Sequence, residues 1–315
     1  MSELPDVQNR KDHRNIGLER VGITNAKFPT SVLRKDGTIS QVSATVKLFA
    51  NLPEEAKGHN LSRFMETLVD FSETHKTLSS NTMPLLLQSM QDRLGSQDVY
   101  ARFEFDYYID KEAPVSKKVA PQGYVCAFTG IKKNGTYSFI LEVNVVAASL
   151  CPCSKEMSLI ENSYPSNPVF EEFVSRISPV VRINGSKQNS GDSGLFDISP
   201  ISFKKLYGMG AHNQRSLIKV ELHLDSILWI EDVIMLIETQ ASAPTYPILK
   251  RPDERYVTEL AYNNPKFSED IARDVQIAIE EHEEVDAWSL KVNNEESIHS
   301  YNVSVSSKSD NWNFH

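Results

Sequence analysis

"GYVCAFTGIKKNGTYSFILEVNVVAASL", residues 123–150, carries the main fold signal. Two runs rich in β-branched and aromatic residues flank Lys132-Lys133-Asn134-Gly135, and a short link ending in Asn-Gly between such runs predicts a β-hairpin. Upstream, "DVYARFEFDYYI" (98–109) and, after the Lys35–Thr38 turn, "ISQVSATVKLFANL" (39–52) read as further strands. Between them Leu61, Phe64, Leu68 and Phe71 recur at helical spacing, and "TMPLLLQSMQDRL" (82–94) reads as a second helix with Pro84 in its first turn. Downstream the layout repeats without repeating the letters. "SLIKVELHLD" (216–225) is a strand, 230–241 and 268–282 are helices, and 285–294 with 297–308 form a closing strand pair.

The expected organisation is therefore α+β, with two similar units in tandem. An N-terminal arm occupies 1–30, the first unit 31–158 and the second 209–315. Residues 159–208 between them are rich in Ser, Asn, Gly and Pro, which predicts an inserted loop region with one short helix around Phe170 to Arg176.

At 315 residues and 40% apolar content the chain can bury a large core. Its net charge of −9 argues against general nucleic-acid binding, because displacing phosphate counterions takes a basic excess. No run approaches the roughly 20 apolar residues of a membrane span. The polar start "MSELPDVQNRKDHRN" has no secretory character, and three cysteines are too few for a disulfide framework, so a cytoplasmic location is expected.

Chemistry concentrates in "SLCPCSKEM" (149–157), at the end of a predicted strand, and in "GMGAHNQRS" (208–216), where the second unit opens. Cysteine and histidine at two strand mouths can converge on one metal ion, since thiolate, imidazole and carboxylate serve together as ligands. C-x-C spacing alone leaves core packing, a redox pair and metal ligation open.

These stretches, with "RPDERYVTELAYNNPKFSED" (251–270), "EESIHS" (295–300), "LPDVQ" (4–8) and "KGHNLSRF" (57–64), resemble the type IB GTP cyclohydrolase family along nearly the whole chain. The resemblance implies a tunnelling fold: two ββααββ-type units whose antiparallel sheets associate into barrels, as a homodimer or homotetramer with active sites at subunit interfaces. It implies hydrolysis of GTP at C8 to 7,8-dihydroneopterin triphosphate and formate, the first step of tetrahydrofolate and pterin biosynthesis, with no nucleic-acid or membrane partner.

By motif position the resemblance makes Cys151, His212 and Glu254 ligands of a divalent ion (Zn²⁺, Mn²⁺ or Fe²⁺), with Cys151 also a catalytic residue. Cys153 is left a supporting or packing thiol, and Cys126 core. Glu269 would anchor guanine, whose adjacent N1–H and N2–H donors suit two carboxylate oxygens. Glu296 and His299 would be catalytic, His299 moving protons near neutral pH. Lys57, Ser62, Arg63 and Arg215 would hold the triphosphate. This chain departs from the family's "KGTHMSRF" by placing Asn60 where the family has histidine and His59 one position earlier, and by a longer stretch between the cysteine and histidine motifs. Two other readings are a nitrile reductase of queuosine biosynthesis, which uses a nucleophilic cysteine and no metal, and a non-catalytic purine or pterin binder of the same fold.

Overall fold

The hairpin at Lys132–Gly135 is present in the computed structural model, which describes residues 11–159 and 210–314. Asn134 and Gly135 both take positive φ (52° and 80°), the left-handed pair that matches a tight turn to the twist of its strands. The turn joins β4 (Val119–Lys133) to β5 (Thr136–Leu150). Before it stand β1 (Leu18–Leu33), β2 (Ile39–Leu52), α1 (Ser62–Thr74), α2 (Met83–Leu94) and β3 (Val99–Glu112). After it come α3 (Pro152–Leu159), β6 (Asn213–Leu224), α4 (Ile230–Thr239) and the two-residue β7 (Ala243–Pro244). The chain then runs through α5 (Arg251–Asn263), α6 (Ser268–Glu280), β8 (Val285–Glu295) and β9 (Val303–Lys308).

The strands form one antiparallel sheet in the order β1-β2-β3-β4-β5-β6-β8-β9, with β7 beside β5. Alternate residues such as Phe103, Leu141, Val143, Val220 and Leu290 point to one face, where they meet the helices in a continuous core. α2 presses Met83 and Leu87 onto β4 at Gly130, where a Cβ would lie 2.3 Å from Met83 Cγ, so bare backbone makes the room. Val233 and Ile237 of α4 and Ile271 and Val275 of α6 are buried in the same core. Each such side chain contributes about 1.5–3 kcal/mol by leaving water. Polar bonds fix the rotation of α4: Tyr107 Oη donates to Glu231 (2.5 Å) and Tyr124 Oη to Glu238 (2.8 Å).

The other face is polar at its centre. Glu142 is buried there beneath Arg102 (2.9 Å) and Lys219 (3.1 Å). Burial alone would raise its carboxyl, but the two cations hold it below the usual range.

Two details differ from the sequence reading. Residues 18–30, assigned to an arm, belong to β1, whose long register with β2 supplies an order that its irregular pattern does not advertise. Helices α3 and α5 also appear where only motifs were read. Counted as ββααββ, one set of elements runs from β1 to β4, and β5 follows the Asn134–Gly135 turn. The expected insertion at 159–208, with its short helix, lies outside the described residues beyond Leu159. No helix among the described residues is long and apolar enough to cross a membrane.

Candidate metal and nucleotide site

The antiparallel register puts the end of β5, the start of β6, the end of β8 and the start of β9 at one end of the sheet. Cys151 and His212 meet there. The Cys151 N–H donates to the His212 carbonyl (3.1 Å), extending the β5–β6 ladder by one residue. The His212 N–H donates to Ser154 Oγ (3.2 Å), and the Ser154 N–H points at Cys151 Sγ (3.4 Å). The sulfur thus caps the start of α3, and an N–H aimed at it suits an anionic ligand atom. His212 Nδ1 is buried with no hydrogen-bond partner among the described residues. An unpaired imidazole nitrogen and a sulfur, on residues joined through their backbones, are donor types that fit a metal ion of the thiolate and imidazole kind.

Glu254 lies exposed in the first turn of α5. Among the described residues no three His, Cys, Asp or Glu side chains gather into one group, so the expected trio is not assembled, and Cys151 and His212 are linked through their backbones. Its neighbour Asp253, which the sequence reading passed over, is completely buried. The Asp253 carboxylate accepts from the N–H groups of Val115, Ser116 and Lys250, each at 2.8 Å. Burial alone would raise this carboxyl, but the bonds from Ser116, Lys250 and Val115 hold it well below the usual carboxylate range. An Asp two residues after Lys250-Arg251, in a helix's first turn, is the available sequence signal.

The "NNPKFSED" segment reaches the same end. The Lys266 N–H donates to the carbonyl of Leu150, next to Cys151 (3.0 Å), and Asn264 Nδ2 donates to the Ala241 carbonyl (3.0 Å). Glu269 follows in the first turn of α6, exposed, accepting from Ser268 Oγ at 2.9 Å. Arg215 is exposed on β6, three residues from His212. Gln214 Nε2 donates to Glu296 Oε1 at 3.4 Å, and His299 lies exposed in the β8–β9 loop, stacked on Tyr301 at 5.1 Å. Beneath these groups Ser216 Oγ donates to Asn294 Oδ1 (2.6 Å) and lies 2.9 Å from Ser149 Oγ, while Asn294 Nδ2 donates to Ser149 Oγ (3.3 Å). This buried set ties β5, β6 and β8 together behind the mouth, and serines within strands give no sequence signal for it.

Lys57, Ser62 and Arg63 are elsewhere. They follow the far end of β2, which the register aligns with the Asn134–Gly135 turn. β5 alone has 15 residues, so at about 3.3 Å per residue the two ends are on the order of 45 Å apart. Arg63 lines a cavity of about 310 Å³ there, with Lys11, His59 and Asn60. His59 turns inward, its Nε2 3.0 Å from the Asn51 carbonyl and its ring edge-on to Phe64. Asn60, in the place of the family's histidine, accepts from Ser62 Oγ at 2.8 Å.

Of the other cysteines, Cys126 is buried in the core, where burial pushes its thiol up, and Cys153 is exposed on α3. His223 pairs with Asp286 (2.9 Å), far from the mouth.

Among solved structures, uricase from Arthrobacter globiformis matches with a TM-score of 0.50 over 95% of this chain and 96% of its own, at 7% identity. At that identity the likeness concerns fold alone, and it makes this an α+β protein of the tunnelling fold. A family model described as type I GTP cyclohydrolase folE2 matches residues 4–305, and the chain belongs to that family. The GTP cyclohydrolase FolE2 of Azoarcus sp. is 35% identical over 95% of this chain and 93% of its own. That of Thermosipho africanus is 33% identical over 98% of each, and that of Magnetococcus marinus 33% over 95% and 94%. The nitrile reductase and non-catalytic readings are not favoured by these matches.

Proposed function

We propose that this chain is a metal-dependent GTP cyclohydrolase that opens the guanine ring at C8, giving 7,8-dihydroneopterin triphosphate and formate. The observation that carries the reading is the join of Cys151 to His212, with its unpaired imidazole nitrogen, within a chain matched to the family from residue 4 to 305. Cys151, His212 and Glu254 would hold a divalent ion (Zn²⁺, Mn²⁺ or Fe²⁺), which when bound supplies Lewis acidity and an activated water near neutral pH. Glu269 accepts the guanine N1–H and N2–H and thereby turns C8 toward Cys151 and His212. His299 hands a proton to the ring nitrogen freed as C8 leaves, and Glu296, three residues before it in the chain, would fix the imidazole's tautomer.

Arg215 stands at the same end to meet the triphosphate, whereas Lys57, Ser62 and Arg63 stand at the other. A site that uses both ends must take them from two chains, so the working form is a homodimer or homotetramer with interfacial sites. A cytoplasmic location accords with the reading. Incubating metal-loaded protein with GTP should release formate and a pterin that fluoresces after oxidation. Metal-loaded protein that leaves GTP intact sinks the proposal.

A further inference from the structure

We propose that Lys155 is a positioning residue of this site, holding the helix that carries Glu254 against the helix that starts at Cys151. The inference rests on Cys151, His212 and Glu254 being the metal ligands. Lys155 lies one turn along α3, its N–H donating to the Cys151 carbonyl (3.1 Å). Its Nζ donates to the Tyr262 carbonyl at 2.6 Å and sits 4.6 Å from the centre of the Tyr262 ring. Tyr262 is in the last turn of α5, where carbonyls lack intrahelical partners and the helix dipole is negative. A lysine from another helix satisfies one of them, and the aromatic face adds a cation–π attraction.

α5 packs its middle through Ala261, Val257 and Leu260 against Leu150 and Ala243, which leaves its two ends to polar anchors. Asp253 pins the N-terminal end to the β3–β4 turn, and Lys155 pins the C-terminal end to the helix of Cys151. Glu254 is not gathered with Cys151 and His212, so its reach toward them is set by where α5 stands. Lys155 is the side chain that couples the two placements. The sequence puts it in "CPCSKE", four residues after the ligand it serves.

The test is a Co²⁺ titration of the full-length protein, read by the thiolate-to-cobalt charge-transfer absorption, with the melting temperature of unloaded protein measured alongside. Lys155→Met should keep the absorption at saturation, since Cys151 still binds, while weakening Co²⁺ affinity by about 10-fold or more, as loss of an outer partner does. Lys155→Arg, which can still donate to the Tyr262 carbonyl and cover the ring, should restore it to within about 3-fold. A purely structural lysine would lower the melting temperature and leave Co²⁺ affinity unchanged, and that result overturns the proposal. Equal weakening in Lys155→Arg overturns it too. Tyr262→Leu, which keeps the carbonyl and removes the ring, serves if Lys155→Met does not fold: severalfold weaker binding supports the proposal and unchanged binding overturns it. Cys151→Ala and Glu254→Gln are the controls for the ligand reading. If neither alters Co²⁺ binding, the ligand assignment fails, a result distinct from failure of the Lys155 coupling alone.

Discussion

The two ends of the sheet are built differently. At the Lys57–Arg63 end the loop runs into α1, whose Phe64, Leu68 and Phe71 are buried, and His59 packs edge-on against Phe64. Hydrophobic burial anchors the helix at that end, while Asn51 takes the Gln97 and Asp98 N–H groups on its side-chain oxygen. At the Cys151 end a smaller apolar cluster around Leu150, Ala243 and Ala261 is joined by many polar anchors: Asp253 to the β3–β4 turn, Lys155 to Tyr262, Lys266 to Leu150, and the Ser149, Ser216 and Asn294 set beneath them. Directional bonds place atoms more narrowly than apolar contact does, which suits an end proposed to hold a metal ion. Apolar packing suffices for one proposed to present charge to phosphates.

The sharpest way to break this comparison is to disable one end at a time. Cys151→Ala should abolish turnover and bound metal together, by more than the roughly 10–100-fold that loss of an outer partner costs. Cys153→Ala should keep its metal, and equal metal loss in both removes the distinction. Arg63→Ala should impair turnover with metal retained. Mixing Cys151→Ala and Arg63→Ala chains through joint refolding should restore part of the activity, because some sites then receive an intact end from each chain. No recovery would mean that both ends do not meet across chains.

Stability should divide the same way. Phe64→Ala, beneath the phosphate loop, should cost about 3–5 kcal/mol in denaturant unfolding, through lost burial and a cavity. Asn294→Ala, at the polar end, should cost less, about 1–3 kcal/mol, by leaving Ser149 and Ser216 short of partners. Glu269→Gln swaps an acceptor for a donor opposite guanine and should lower kcat/KM for GTP by a similar free energy, about 1–3 kcal/mol, with metal content unchanged. Unaltered kinetics would remove Glu269 from guanine recognition.

The smallest effect is expected from acid. The Asp253 carboxyl is held below its usual range in the folded protein, so its contribution is fully present above the unfolded value of about 3.9 and lost as pH falls toward the folded one. The melting-temperature gap between the parent protein and Asp253→Asn should stay level from pH 8 to about pH 5 and narrow only in stronger acid. A gap that narrows above pH 5 would show that Asp253 is not the group concerned.

Strand and helix periods at 39–52, 62–74, 83–94 and 268–280, and the Asn134-Gly135 turn, were legible because apolar spacing and turn chemistry are local. The helices that carry the chemistry were not. α3 follows directly on the cysteine motif, and α5 has only a short apolar face, Val257, Leu260 and Ala261, between polar anchors at its two ends. The strand within the expected arm was hidden for a related reason, since pairing with β2 orders a segment whose own pattern is weak.

By itself the sequence determined the α+β class and the family, and named the residues proposed to meet metal, purine and phosphate, because these are written in short motifs and local periods. Only the tertiary structure decided that Cys151 and His212 adjoin while Lys57, Ser62 and Arg63 lie at the far end of the same sheet. Distance across a sheet depends on strand register, and register comes from pairing between segments that no local pattern reports.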